Sequence, residues 1–135
     1  MKIFIACSKH FYYRIAEIKK QLEKAGHVIA LPNSYDKPLK EEELKKNPEE
    51  HIKWKAGMMR KDTKNIIHND AIFVLNFEKK GLPNYIGGAT FMEIVKAWEL
   101  NKKIFLYNPL PRCTFTDELT GINPIILNGD LTKIK

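Results

Sequence analysis

The sequence predicts an α/β three-layer sandwich on an open, five-stranded parallel sheet in the order 2-1-3-4-5. Two observations predict it. The apolar runs Lys2-Ile3-Phe4-Ile5-Ala6-Cys7 and Ala71-Ile72-Phe73-Val74-Leu75 are continuous rather than alternating, as strands covered on both faces must be. Segments of helical periodicity separate the apolar runs, and that alternation implies right-handed crossovers into a parallel sheet with helices on both faces. At 135 residues the chain has the size of one domain, and no linker divides residues 1–135.

Residues 2–7 form the first strand, ending at Ser8. Phe11, Ile15, Ile18 and Leu22 then recur at helical spacing until Gly26 supplies a stop. One of Tyr12 and Tyr13, at the start of this helix, is expected to pack in the core. His27 to Leu31 reads as a short second strand closed by Pro32. From Asn33 to Asn47 the chain is polar, with Pro38 and a charged patch from Lys40 to Lys46, too long for an ordinary connection and expected to be functional or partly mobile. Asn47-Pro48-Glu49-Glu50 has an N-cap, a proline at the first helical position and acids in the first turn, opening a helix through His68. Asp70 to Asn76 is the third strand, with Asp70 as a strand-start residue. A loop from Phe77 to Gly88, a helix from Thr90 to Asn101, and strands at Lys103–Tyr107 and Pro124–Leu127 complete the chain.

In this flavodoxin- or Rossmann-like order, ligands bind beyond the carboxyl ends of strands one and three, where the strand order reverses. The loop Cys7-Ser8-Lys9-His10-Phe11 and the loop ending at Gly87-Gly88 should meet there.

Composition narrows the function. The net charge is +7 with pI near 9.4, but the lysines are spread in pairs such as Lys19-Lys20 and Lys79-Lys80, with no interleaved aromatic platform. A nucleic-acid polymer is not the expected partner; a small anionic ligand is compatible with the charge. Cys7 and Cys113 form no spaced cluster, which argues against a zinc site or disulfide framework and fits a reducing compartment. No apolar run approaches the ~18 residues of a membrane span, and the N-terminal run is too short for a secretory leader. The expected location is the cytoplasm.

The stretch Gly87-Gly88-Ala89-Thr90-Phe91-Met92-Glu93-Ile94 carries the sharpest question. Thr90 and Glu93 have capping-box spacing, so Glu93 could simply reach back to the Thr90 N–H. Alternatively Glu93 lies off the stripe Phe91, Ile94, Val95 and Trp98, expected to pack on the sheet, and faces the crevice. In the first helical turn, unpaired N–H groups and the dipole would favour its carboxylate form, suiting a nucleophile better than a general acid. Asp62 has a similar ambiguity beside Arg60 and Lys61, as a solvated helix residue or part of a site.

From Asp62 to Tyr107, through Asp70, the Gly87-to-Ile94 stretch and Lys102-Lys103-Ile104-Phe105-Leu106, the sequence resembles the nucleoside 2-deoxyribosyltransferase family and its nucleoside-phosphate N-hydrolase relatives. The resemblance covers nearly the whole chain, more loosely in the first loop and the C-terminus. It implies that Glu93 attacks the anomeric carbon of a deoxyribose and expels the base, after which a second base or water accepts the sugar. It implies a substrate-positioning role for Asp62 and substrate contacts from Ser8, Phe11, Gly87 and Gly88. It also implies a nucleoside or nucleotide substrate, no metal or organic cofactor, and a homodimer or larger homo-oligomer sharing its pockets. In relatives a polar residue from the loop after strand four of a neighbouring subunit completes the pocket, and here that loop is the Pro-rich segment 108–118, with apolar residues suited to a contact. The segment 33–50 is similar to the lid-like insertion of the transferases, which points to transfer rather than hydrolysis. Two features depart from the family: Ala6-Cys7-Ser8 stands where many relatives have glycine, and Tyr85-Ile86 where transferases often have another aspartate.

Overall fold

A computed structural model describes residues 1–135. Strands β1 (Lys2–Ala6), β2 (Val28–Ala30), β3 (Ala71–Val74), β4 (Lys103–Leu106) and β5 (Ile125–Ile126) form one sheet in the order β2-β1-β3-β4-β5. Every pairing is parallel, with Phe4 beside Ala30 and Ile72, and Ile72 beside Ile104. The helices are α1 (Ile15–Lys24), α2 (Lys40–Leu44), α3 (Pro48–His68), α4 (Gly88–Glu99) and α5 (Thr116–Ile122).

Alternation along the strands divides the core between the two faces. Ile3, Ile5, Phe73 and Phe105 pack with Ile15, Ile18 and Leu22 of α1. Phe4, Ala6, Ile72, Val74, Ile104 and Leu106 pack with Ile66 of α3, Ile94 and Ala97 of α4, and Leu119 of α5. Each large aliphatic or aromatic side chain so buried contributes ~1.5–3 kcal/mol before chain entropy is counted. This is why both residue parities in the strands are apolar.

Four expectations need correction. Lys9–Arg14 is a 3-10 turn preceding α1, capped by Ser8 Oγ, which accepts from the His10 N–H at 3.4 Å. The segment after β2 contains the short helix α2. The sheet-facing stripe of α4 is Thr90, Ile94 and Ala97, while Trp98 is 52% exposed. The apolar residues of α4 outnumber one stripe, and close approach to the sheet favours the small Thr90 and Ala97 over Trp98. Finally, the apolar residues of the 108–118 loop turn inward. Phe115 stacks on Phe91 with ring centroids 4.2 Å apart, and Leu110 packs on the same core layer. Buried Asn76 pins the loop, donating to the Asn108 and Pro109 carbonyls at 3.0 Å and accepting from the Asn108 N–H at 2.8 Å. No helix is long and apolar enough to cross a membrane.

Candidate active site

β1 and β3 run side by side as far as Ala6 and Val74, then separate. Beyond Ala6 the chain turns through Ser8; beyond β3 it passes a tight turn at Lys80-Gly81, both with positive φ, before reaching α4. A cavity of about 220 Å³ opens between these paths. Cys7, Ser8 and Tyr12 line it from the β1 side, Gly87 and Gly88 from the start of α4, Asn33 from the loop after β2, and Lys55 and Asp62 from α3. A larger cavity, about 550 Å³, lies between α3 and α4 against Met59, Thr63 and Met92. Asp62 and Glu93 line both, so the two carboxyl groups stand where the cavities adjoin.

Helical geometry brings them together. Lys55 and Asp62 are seven positions apart and so share a face of α3, with Ile66 one turn beyond Asp62 buried in the core. On α4, Glu93 is one turn from Ala89 and from Ala97, on the flank packed against α3.

The capping reading of Glu93 does not hold. α4 begins at Gly88 with Gly87 as its N-cap and no side-chain cap, and Thr90 is buried inside the helix. Glu93 therefore lies in the second turn, beyond the free N–H groups of the first. The expected preference for the carboxylate form is also corrected. Burial, then the charge of Asp62, pushes Glu93 well above its ordinary range, while Lys55 pulls it down. Burial likewise raises Asp62, against a hydrogen bond from Asn33 and the charge of Lys55. Two carboxyl groups so placed titrate as a pair and hold a proton more firmly than solvated acids.

Further residues shape the site that the sequence did not single out. Asn33 Nδ2 donates to Asp62 Oδ1 at 2.5 Å, Asn65 Nδ2 donates to Asn33 Oδ1 at 2.9 Å, and Asn69 Nδ2 donates to the Asn65 carbonyl at 2.6 Å. Tyr12 packs on Tyr35 with centroids 5.6 Å apart, and its phenol is pushed up by burial and then by Cys7, Glu93 and Asp62. Phe11, by contrast, is not brought to the crevice. It is 2% exposed, edge-on to Phe77 at 5.5 Å, so the neighbouring ring of Tyr12 takes the wall and Tyr13 points to solvent. The only sequence signals for these residues were the heptad spacing of Lys55 and Asp62 and the polarity of the segment after Pro32. No group of three His, Cys, Asp or Glu side chains is arranged to hold a metal ion.

No protein-family model matches the chain, and no curated protein matches it in sequence. Its fold is similar to those of solved structures, of which two are described. One is a 2-deoxyribosyltransferase from Bacillus psychrosaccharolyticus, at TM-score 0.58 and 17% identity over 81% of this chain and 73% of that one. The other is a CMP N-glycosidase from Clostridium botulinum, at TM-score 0.50 and 16% identity over 93% of this chain and 85% of that one. At such identities the likeness establishes a shared fold.

Proposed function

We propose that this protein cleaves the N-glycosidic bond of a 2′-deoxynucleosidic substrate through a glycosyl ester on Glu93 and passes the deoxyribose to another base. The observation that carries this reading is the meeting of Glu93 and Asp62 at the carboxyl ends of β1 and β3. Structures of the same fold, named as a 2-deoxyribosyltransferase and a CMP N-glycosidase, support it.

In the first step Glu93, ionised, forms a bond to the anomeric carbon as the bond to the base breaks. Charge builds on the sugar through an oxocarbenium-like state that the carboxylate stabilises before trapping it. The base leaves with the bonding electrons and must be protonated. The pair shares a proton, and this step needs it on Asp62, from which it passes to the base, with the charge on Glu93. In the second step the acceptor base attacks the same carbon, its proton returns to Asp62, and the ester bond breaks to restore the Glu93 carboxylate. Ser8, Gly87 and Gly88 line the crevice as substrate contacts. The larger cavity leaves the pair open between α3 and α4, and a second copy of the chain in a homodimer would close it.

The test is a panel of deoxynucleosides and deoxynucleoside monophosphates, with and without a free acceptor base. Released base and a swapped nucleoside are expected. Free sugar alone would move the assignment to hydrolysis, and no turnover of any substrate would leave a nucleotide-sensing module.

A further inference from the structure

Met58 and Ala89 apart, the residues that line both cavities are Lys55, Asp62 and Glu93. Lys55 is the one cation among them. Arg60 and Lys96 line only the larger cavity, and Lys9 only the smaller, where its ammonium meets Glu42 at 2.8 Å. One ammonium and two carboxyl groups therefore share the junction of the two cavities.

Two helices fix the position of Lys55. His51, Lys55 and Asp62 follow one another at intervals of four and seven along α3, so they fall on one face. Glu41 of α2 bridges the first two: Lys55 Nζ donates to Glu41 Oε1 at 3.2 Å, and His51 Nε2 meets Glu41 Oε2 at 2.9 Å. The Lys55 side chain is 39% exposed, and its tie to Glu41 keeps the charge beside the crevice rather than free in solvent.

The charges around the pair oppose one another. Burial and then Asp62 push Glu93 up, and burial pushes Asp62 up; the positive charge acting on both is that of Lys55. Asn33 assists it at Asp62 alone. From the β1 side Cys7 and Tyr12 face Glu93, but burial raises the Cys7 thiol to about 12 and the Tyr12 phenol further, so neither is charged near neutral pH. Burial also pushes Glu41 up, yet hydrogen bonds from His51 and Lys55 and the charges of Lys55 and Lys45 hold it below its ordinary range, so it stays ionised as the anchor of Lys55.

We propose that Lys55 is a positioning residue for the reaction: its ammonium is the counter-charge that leaves Asp62 and Glu93 with one proton and one negative charge between them, rather than two protons, at neutral pH. That is the state the first step needs, with Glu93 ionised and a proton ready for the departing base. Two buried carboxyl groups without a nearby cation lower their cost by taking a proton each, and such a pair contains no nucleophile.

The inference rests on the proposed function for the reaction that the pair performs, and titration without substrate separates the two. Carbon-13 NMR of the side-chain carboxyl groups follows the pair in the native chain, Lys55→Met and Lys55→Arg. Lys9→Met, which removes a cation from the smaller cavity alone, is the control. Methionine keeps the length and helix propensity of lysine, and arginine restores its charge. The two titration steps belong to the pair, and in Lys55→Met the lower one should rise by about one pH unit or more, as expected for loss of a nearby opposite charge. Lys55→Arg and Lys9→Met should leave it close to its native position. The acid limb of kcat/KM should move with that step, so Lys55→Met loses about tenfold on the acid side of the profile and Lys55→Arg recovers it. A lower step unmoved by Lys55→Met, or raised as far by Lys55→Arg or Lys9→Met, overturns the assignment, and so does an acid limb that stays in place while the step moves. A step that moves as expected in a chain releasing base from no substrate would sink the proposed function and leave the counter-charge standing. Base release with a Lys55→Met profile identical to the native one would sink this inference alone.

Discussion

Asn33 donates to Asp62 Oδ1 at 2.5 Å and thereby joins the loop after β2 to the carboxyl group that faces Glu93. The bond favours the ionised form of Asp62, whose charge in turn pushes Glu93 upward. The pH at which Glu93 becomes a nucleophile is thus partly set from the other side of the crevice. Asp62→Asn removes that charge, so the acid limb of kcat/KM against pH should move to lower pH. Loss of the proton donor should lower kcat by about 10²–10⁴. A limb that stays in place, or moves up, would show that Asp62 does not act on Glu93.

Stability should carry the same signature. Burial and the charge of Asp62 raise the Glu93 carboxyl well above its ordinary range, so the folded chain binds a proton more tightly than the unfolded one. Its contribution is fully present below the unfolded value and is lost as pH rises through the folded one. Glu93→Gln keeps the shape and removes the charge. Its melting temperature should match the native chain near pH 4 and exceed it increasingly above, and a constant difference across that range would contradict the assigned burial.

The two cysteines should differ sharply in reactivity. Burial, then the charge of Glu93, raises the Cys7 thiol from 9.0 to about 12, whereas Cys113 is exposed on the loop before α5. Alkylation with iodoacetamide at pH 8 should modify Cys113 in the folded protein and spare Cys7 until denaturant is added, because the thiolate is the reacting form. Peptide mass mapping reads the result directly; early labelling of Cys7 would mean that the floor of the crevice is more open than its burial indicates.

The strand order was legible because apolar runs buried on both faces leave few alternatives, and the Asn47-Pro48 start of α3 because a cap bonds locally. Asn47 accepts from the Glu50 N–H at 3.3 Å, as the sequence suggested. The pairing of Asp62 with Glu93 was reached only through resemblance, since it depends on how α3 packs on α4 and neither helix encodes that alone. Trp98 was misplaced because periodicity says which residues are apolar together, but the width left between helix and sheet decides which side turns inward. Phe11 was assigned to the crevice by the resemblance alone, whereas its helical spacing with Ile15, Ile18 and Leu22 pointed to the core cluster they share. Asn33 and Lys55 escaped notice because a polar loop residue and a helical lysine look solvated until the partner element arrives. The charge expected of Glu93 failed similarly, because the dipole is local while burial and Asp62 are tertiary.

The decisive prediction concerns Glu93 itself. A residue that only capped a helix would lose about 0.5–2 kcal/mol of stability on replacement by alanine and leave turnover nearly intact. As the nucleophile, its loss should leave a folded protein whose kcat falls by several orders of magnitude, since the covalent route is removed. A 2-fluoro-2-deoxy nucleoside with a good leaving base slows both steps by destabilising the oxocarbenium-like state, the second enough for the glycosyl ester to accumulate. Mass spectrometry of the digested protein should then find one sugar on the peptide containing Glu93 and none in Glu93→Ala. Sugar on the Asp62 peptide would exchange the roles of the two carboxyl groups, and a Glu93→Ala protein that still turns over would remove Glu93 from the chemistry altogether.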